Sequence, residues 1–236
     1  SLDAEALRDE KVRLLRAIKP MSPDEVLTNS VRGQYGPGSM KGEEVPGYRQ
    51  ENLVDPESIT ETYVALRLAI KNWRWSGVPF FLRTGKRLPK KASEIAIIFK
   101  KPPHQIFENQ GDLQMRANTL VLRIQPDEGI ALAFESKQPG MQTYLQNVKM
   151  DFRYGTSFGQ PTPEAYERLL LDGIAGDASL FTRSDEVDRA WEIITAIHEG
   201  WETKKPEQFP NYEAGSWGPA EADHLMDGLS TGWRRL

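Results

Sequence analysis

The chain has 236 residues, 39% of them hydrophobic and 27% charged, which suits a globular chain long enough for one large domain or two small ones and excludes a disordered segment. Its net charge of −4 argues against broad nucleic-acid binding, and no apolar run approaches the about 20 residues of a membrane-spanning helix. There is no cysteine, so disulfides, a thiolate nucleophile and cysteine-ligated zinc are excluded, and a reducing cytoplasm is the expected compartment.

The amino end reads Ser1-Leu2-Asp3, without methionine or a signal-like apolar stretch, and is expected to be cut from something longer. Ser1 can cap a helix running to about Ile18, with Leu7, Leu14, Leu15 and Ile18 on one face and Asp3 and Glu5 near its positive end. Ser22-Pro23-Asp24-Glu25 has the form of a capping box with proline at the first helical position. From Gly33 to Glu57, glycine, proline and charge predict a long ordered loop. The period then changes to two. In Thr62 to Ile70, Val64, Leu66, Leu68 and Ile70 share one face, which predicts a strand with one buried side.

Asn72 to Gly77 is a short turn carrying two indoles. Strands are predicted at Pro79 to Thr84, Glu94 to Phe99, Thr119 to Gln125, Ile130 to Ser136 and Asn147 to Tyr154, with Pro126-Asp127-Glu128-Gly129 as a hairpin turn. Thr162-Pro163-Glu164 opens a helix reaching about Ala175. Ser184 caps another that runs to about His198 and is closed by Gly200, and Pro219 opens a third. Strands first and helices after predict an α+β fold: a large, mainly antiparallel sheet with helices on one face.

One feature stands out chemically. Arg83, Lys86, Arg87, Lys90 and Lys91 crowd around Gly85 and Pro89, just past the strand bearing Phe80, Phe81 and Leu82. Flexible ammonium groups at a strand end, with a glycine permitting close approach, suit a small phosphorylated ligand. Composition alone does not separate this from a solvated surface loop, and favours the latter.

Other residues point to ordinary structural roles. His104, His198 and His224 lack ligand spacing, so no metal site is expected. The acidic pairs Asp127 with Glu128, Asp185 with Glu186 and Glu221 with Asp223 suit turns and helix starts. Trp73, Trp75, Trp191 and Trp201 suit core or interface anchors. The crowded stretch Gly33-Gln34-Tyr35-Gly36-Pro37-Gly38 follows no buried parallel strand and contains a proline, so the chain carries no dinucleotide fingerprint.

Several segments together resemble glucose-6-phosphate dehydrogenase of the bacterial type. They are Val31-Arg32-Gly33-Gln34-Tyr35, Trp75-Ser76-Gly77-Val78-Pro79-Phe80, Thr84-Gly85-Lys86-Arg87-Leu88, Gln125-Pro126-Asp127-Glu128, the run Ala165 to Asp172, Phe181-Thr182-Arg183-Ser184-Asp185-Glu186 and Gly218-Pro219-Ala220-Glu221-Ala222-Asp223. The resemblance covers essentially the whole chain and implies the carboxy-terminal domain alone, residues 1 to 236. The amino-terminal domain, with its NADP site and its proton-abstracting His-Asp pair, would lie outside the chain.

The resemblance further implies an oxidoreductase of the pentose phosphate pathway that oxidises glucose 6-phosphate at C1. It implies Lys86 and Lys91 as substrate-binding residues, Gln125 as a polar neighbour of the sugar, and Arg87 and Lys90 as rim charges. The sheet's other face would make a homo-oligomer, dimer or tetramer. Some members hold a second, structural NADP here, and Arg83 and Asp151 match positions used for it. Ala92, Ala96, Ala133 and Trp217 stand where basic residues would be needed, so no structural NADP is expected. The rival reading is a non-catalytic dimerisation module with an incidental basic loop.

Overall fold

The computed structural model describes residues 3–101, 116–140, 144–159, 165–203, 208–229 and 231–236. In chain order the elements are α1 (Ala4–Arg16), α2 (Pro23–Asn29), β1 (Ser30–Gly33), β2 (Tyr35–Gly36), β3 (Gly38–Met40), β4 (Glu43–Val45), β5 (Tyr63–Ala69), β6 (Pro79–Gly85), β7 (Ser93–Ile98), β8 (Thr119–Gln125), β9 (Gly129–Lys137), β10 (Leu145–Arg153), α3 (Tyr154–Phe158), α4 (Ala165–Ala175), α5 (Ser184–Glu202), β11 (Tyr212–Glu213) and α6 (Glu221–His224). The α+β expectation and the antiparallel pairing are both borne out. Two units separate by their contacts: Ser1–Lys90 with Leu169–Leu236, and Lys91–Arg168. The expected features at Ser1, His104 and Thr162-Pro163-Glu164 lie outside the described residues.

In the first unit, β1, β5 and β6 form an antiparallel sheet with β5 at its centre. One face carries Leu66 and Ile70, with Val64 and Leu68, against Ile18, Val26, Ile193, Ile197 and Trp201 of the helical layer. The expectation of a single buried face fails on the other side. Tyr63 and Ala65 are as buried as Leu66, because Tyr35, Tyr212, Ala214, Ala222 and Leu225 close over them. The carboxy-terminal tail folds back as β11, pairing in parallel with β2, to supply that second core.

The helices differ from the sequence reading in three details. Asp3 caps α1, its carboxylate accepting from the Ala6 N–H at 2.9 Å. The buried side of α1 is Val12, with Ile18 just beyond the helix, while Leu7 and Leu14 are exposed. Helix α5 starts one residue early and continues past Gly200, ending at Glu202. The capping box at Ser22 and Glu25 forms as expected, with bonds of 2.8 and 3.4 Å. The Gly33 to Glu57 stretch is an ordered loop holding β2, β3, β4 and a 3-10 turn at Tyr48–Gln50. Of the tryptophans, Trp201 is a core anchor whose indole N–H donates to Ser30 Oγ at 2.7 Å, whereas Trp73 is fully exposed.

The second unit is a four-stranded antiparallel sheet in the order β10-β9-β8-β7. Its register aligns Ile95, Leu122, Ile130 and Phe152 in one row and Ile97, Leu120, Leu132 and Met150 in the next. These two rows make an apolar patch on one face, and Met150, Ile95 and Ile130 in it are exposed. No described helix is long and apolar enough to cross a membrane.

Gly200 is internal to α5 because a Cβ there would come within 2.7 Å of Val26, where α2 crosses. Helix propensity alone predicts that Gly200→Ala stabilises by about 1 kcal/mol. The contact reverses the sign: overpacking of this kind costs about 1–3 kcal/mol. Urea unfolding of the chain should show Gly200→Ala less stable than the wild type, with Val26→Ala relieving part of the loss. A more stable Gly200→Ala would contradict this packing.

Candidate functional site

The basic cluster sits where β6 leaves the sheet. Gly85, the last residue of β6, lies opposite Tyr63, the first of β5. The ladder continues one step further, the Lys86 N–H donating to the Thr62 carbonyl at 2.8 Å. The Lys86 carbonyl in turn accepts from the Tyr212 hydroxyl at 2.9 Å. Thr62 Oγ1 lies 3.0 Å from the same hydroxyl. Arg87 then takes a left-handed conformation, φ +52°. This is an uncommon position for a side chain of its size. It is held there by two bonds: its carbonyl accepts from the Gly215 N–H at 2.7 Å, and its guanidinium meets Glu51 at 2.7 Å. The Tyr35 hydroxyl donates to the same Glu51 carboxylate, and Arg87 lies over the Tyr35 ring.

Gly85 has a packing role that the sequence did not suggest. A Cβ at Gly85 would meet the Tyr63 ring at 2.7 Å, so the glycine makes room for the core tyrosine. Arg87 is no free rim charge. Glu51 bonds to it and holds it charged, and Arg87 in turn draws the Glu51 carboxyl below its usual range. Arg83 lies between the rings of Trp217 and Trp233, at 5.1 and 4.9 Å, and donates to the Arg234 carbonyl. Lys86, Lys90 and Lys91 remain exposed, and no carboxylate among the described residues pairs with them. The loop thus divides its charges: arginines fasten it, and lysines face outward.

Lys86 belongs to the first unit. Lys91 and Gln125 belong to the second, where they share one end of the β7–β8 pair. Ser93 faces Gln125 in the register, and the Gln125 amide donates to Ser93 Oγ at 3.3 Å. On the same sheet Asp151 is held by Arg123 through two bonds of 2.9 and 2.7 Å, and by Lys149 at 2.8 Å. These bonds, Arg123 first, hold its carboxyl well below the usual range. Ala96 is exposed, and Ala92 and Ala133 are half-buried. His198 packs edge-on against Trp201, and His224 faces Asp227. Among the described residues no group of acids and histidines could hold a metal ion.

The site residues that sequence reasoning missed are Glu51, Thr62 and Tyr212. Glu51 stands 36 residues from Arg87 and Tyr212 stands 126 from Lys86, so neither separation has a local signal.

Fold and loop together define an α+β domain of antiparallel sheets that presents ammonium groups from a fastened strand end. The family described as "Glucose-6-phosphate dehydrogenase, C-terminal domain" matches residues 1–234. The chain belongs to that family. It is 50% identical over 238 residues to a glucose-6-phosphate 1-dehydrogenase of Chlamydia pneumoniae, covering 100% of this chain and 46% of the relative. It is 44% identical over 230 residues to that of Bacillus subtilis, covering 97% and 47%. Among solved structures, a glucose-6-phosphate dehydrogenase in complex with its substrate glucose-6-phosphate superposes with TM-score 0.83 at 34% identity, over 99% of this chain and 46% of that one. The enzyme from Mycobacterium avium gives 0.79 at 35%, over 99% and 45%. The chain thus spans about half the length of the relatives it matches.

The tyrosines behind the loop make a measurable prediction. Burial pushes the Tyr212 hydroxyl up to about 12. Burial also raises Tyr63 and Tyr35 above their ordinary 10.0. An unfolded tyrosine releases its proton first, so this contribution to stability is complete below pH about 10 and lost as pH rises toward about 12. Unfolding free energies across that interval should fall, and Tyr212→Phe should flatten the slope. A flat wild-type profile would contradict the burial.

Proposed function

We propose that this chain is the carboxy-terminal half of an NADP-linked glucose-6-phosphate 1-dehydrogenase that oxidises glucose 6-phosphate at C1 to the lactone. The observation that carries the proposal is the fastened loop. In a chain of this family, it offers Lys86 with a bonded backbone and an ammonium group that no carboxylate among the described residues pairs with. NADP, when bound, accepts the hydride from C1. The chain's own part is to hold the substrate. Lys86 and Lys91 bind the phosphate, and Gln125 offers an amide to a sugar hydroxyl. Contacts of this kind position the reacting carbon from a distance.

The NADP site and the base that removes the hydroxyl proton are assigned to the amino-terminal domain, which is also this chain's first partner. The absence of a dinucleotide fingerprint supports that division. No structural NADP is assigned to this chain. Several phosphates need several cationic partners, Asp151 is already neutralised by Arg123 and Lys149, and Arg83 is occupied between two indoles. The apolar patch on the β7 to β10 sheet supports a homo-oligomer assembled through it, dimer or tetramer. The cytoplasm is the compartment that accords with the parent reaction.

Self-association is checked by light scattering. The isolated chain should run as a dimer or larger at high concentration, and a clean monomer would count against the interface.

The phosphate assignment is checked by steady-state kinetics of the full-length enzyme. A charged hydrogen bond to a phosphate is worth about 1.5–3 kcal/mol, so Lys86→Ala or Lys91→Ala should raise the substrate KM roughly tenfold to a hundredfold. The phosphate lies away from C1, so its contacts act in ground and transition states alike and kcat should hold. Lys90→Ala is the comparison and should change little. If neither Lys86→Ala nor Lys91→Ala moved KM, the loop would be the solvated surface of the rival assembly-module reading.

A further inference from the structure

Lys86 is exposed, yet its backbone is among the most constrained in the loop. Its N–H is taken by the Thr62 carbonyl at 2.8 Å. Its carbonyl is taken by Tyr212, which arrives from the far end of the chain on β11. The Tyr212 ring is itself buried and wedged between Tyr35 and Tyr63, with ring centroids 6.3 and 5.6 Å away. Its hydroxyl also lies within 3.0 Å of Thr62 Oγ1 and 3.3 Å of the Thr62 carbonyl. One phenol therefore ties together the last backbone bond of the β5–β6 ladder and the residue that follows it.

We infer that Tyr212 is a positioning residue for phosphate recognition: its hydroxyl fixes the Lys86 backbone so that the ammonium group meets the substrate phosphate without an ordering cost at binding. The inference rests on the assignment of Lys86 as a phosphate-binding residue. It goes further in naming what makes that lysine specific. A lysine on a slack loop loses side-chain and backbone freedom on meeting its ligand, and that loss subtracts from affinity. A lysine whose N–H and carbonyl are both already bonded loses only the freedom of its side chain. Arg87 supports the same geometry from the next position: its bond to Glu51 restrains the turn that Lys86 enters.

Tyr212→Phe separates the hydroxyl from the ring. The aromatic contacts with Tyr35 and Tyr63 persist, while the Lys86 carbonyl loses its donor. The measurement is kcat/KM of the full-length enzyme on glucose 6-phosphate and on unphosphorylated glucose at high concentration. Positioning of Lys86 matters only where a phosphate is present. Tyr212→Phe should therefore lower kcat/KM on glucose 6-phosphate by roughly three- to tenfold, the worth of one lost hydrogen bond, and change that on glucose by less than about twofold.

An equal fall on both substrates would make Tyr212 merely structural and overturn the inference, as would no fall on either. Lys86→Ala run in parallel separates the two levels of argument. If Lys86→Ala leaves glucose 6-phosphate kinetics unchanged, the phosphate assignment fails and the inference fails with it. If Lys86→Ala lowers them and Tyr212→Phe does not, only the inference fails. Should Tyr212→Phe not fold, Glu51→Gln loosens the same loop from the other side. It should then show a smaller fall of the same selectivity, and a fall equal on both substrates would again overturn the positioning role.

Discussion

Strand β5 is covered on both faces, and that double burial organises the first unit. A strand with one solvated face would leave Tyr63 and Ala65 wet. Here the tail returns from the opposite end of the chain to cover them, and β11 joins β2 to hold it there. The returning segment is not just cladding. It carries Tyr212 to the head of β5, where one hydroxyl meets Thr62 and Lys86 together. It also carries Gly215, whose N–H fixes the left-handed Arg87. The second core is thus the frame on which the basic loop is hung.

Buried charge follows the same frame. Arg32, on β1, is nearly inaccessible and meets Glu61 at 2.8 Å beneath the rings of Trp201 and Phe209. A buried ion pair of this kind adds little net stability, yet removing one partner strands the other at a cost of about 3–5 kcal/mol. Gln34 beside it is fully buried and spends both amide hydrogens on the Ser58 and Thr60 carbonyls, at 2.9 and 3.0 Å. These bonds tie the start of the long loop, just after β1, to the residues just ahead of β5. Glu51, which fastens Arg87, lies in that loop.

Much of this was legible from residue order. The two-residue period marked β5, and the turn at Pro126 to Gly129 marked the hairpin between β8 and β9. The capping box marked the start of α2. What escaped was set by distance along the chain. Alternation in Thr62 to Ile70 shows which residues share a face, but not that a segment beginning some 140 residues later covers the second face. Gly200 looked like a helix end because glycine usually is one, and only the Val26 side chain pressed against it explains a glycine inside α5. Gly85 also makes room for Tyr63, a packing role invisible in its sequence neighbours. In the basic cluster the division of the charges between fastened and outward-facing side chains was not readable. Arg83 and Arg87 are spent on Trp217, Trp233 and Glu51, and that leaves the lysines.

The proposed role of the loop is phosphate recognition, and the electrostatics of bound glucose 6-phosphate test that role most directly. If ammonium groups bind the phosphate as proposed, they would favour its dianion, so its second ionisation should move down from the usual value of about 6. Phosphorus NMR of glucose 6-phosphate bound to the full-length protein, without NADP, follows that ionisation as pH is varied. The predicted result is a bound phosphate that stays dianionic to lower pH than the free sugar phosphate, and that returns toward the free value in Lys86→Ala. A bound phosphate titrating like the free one in the wild-type protein would contradict the account.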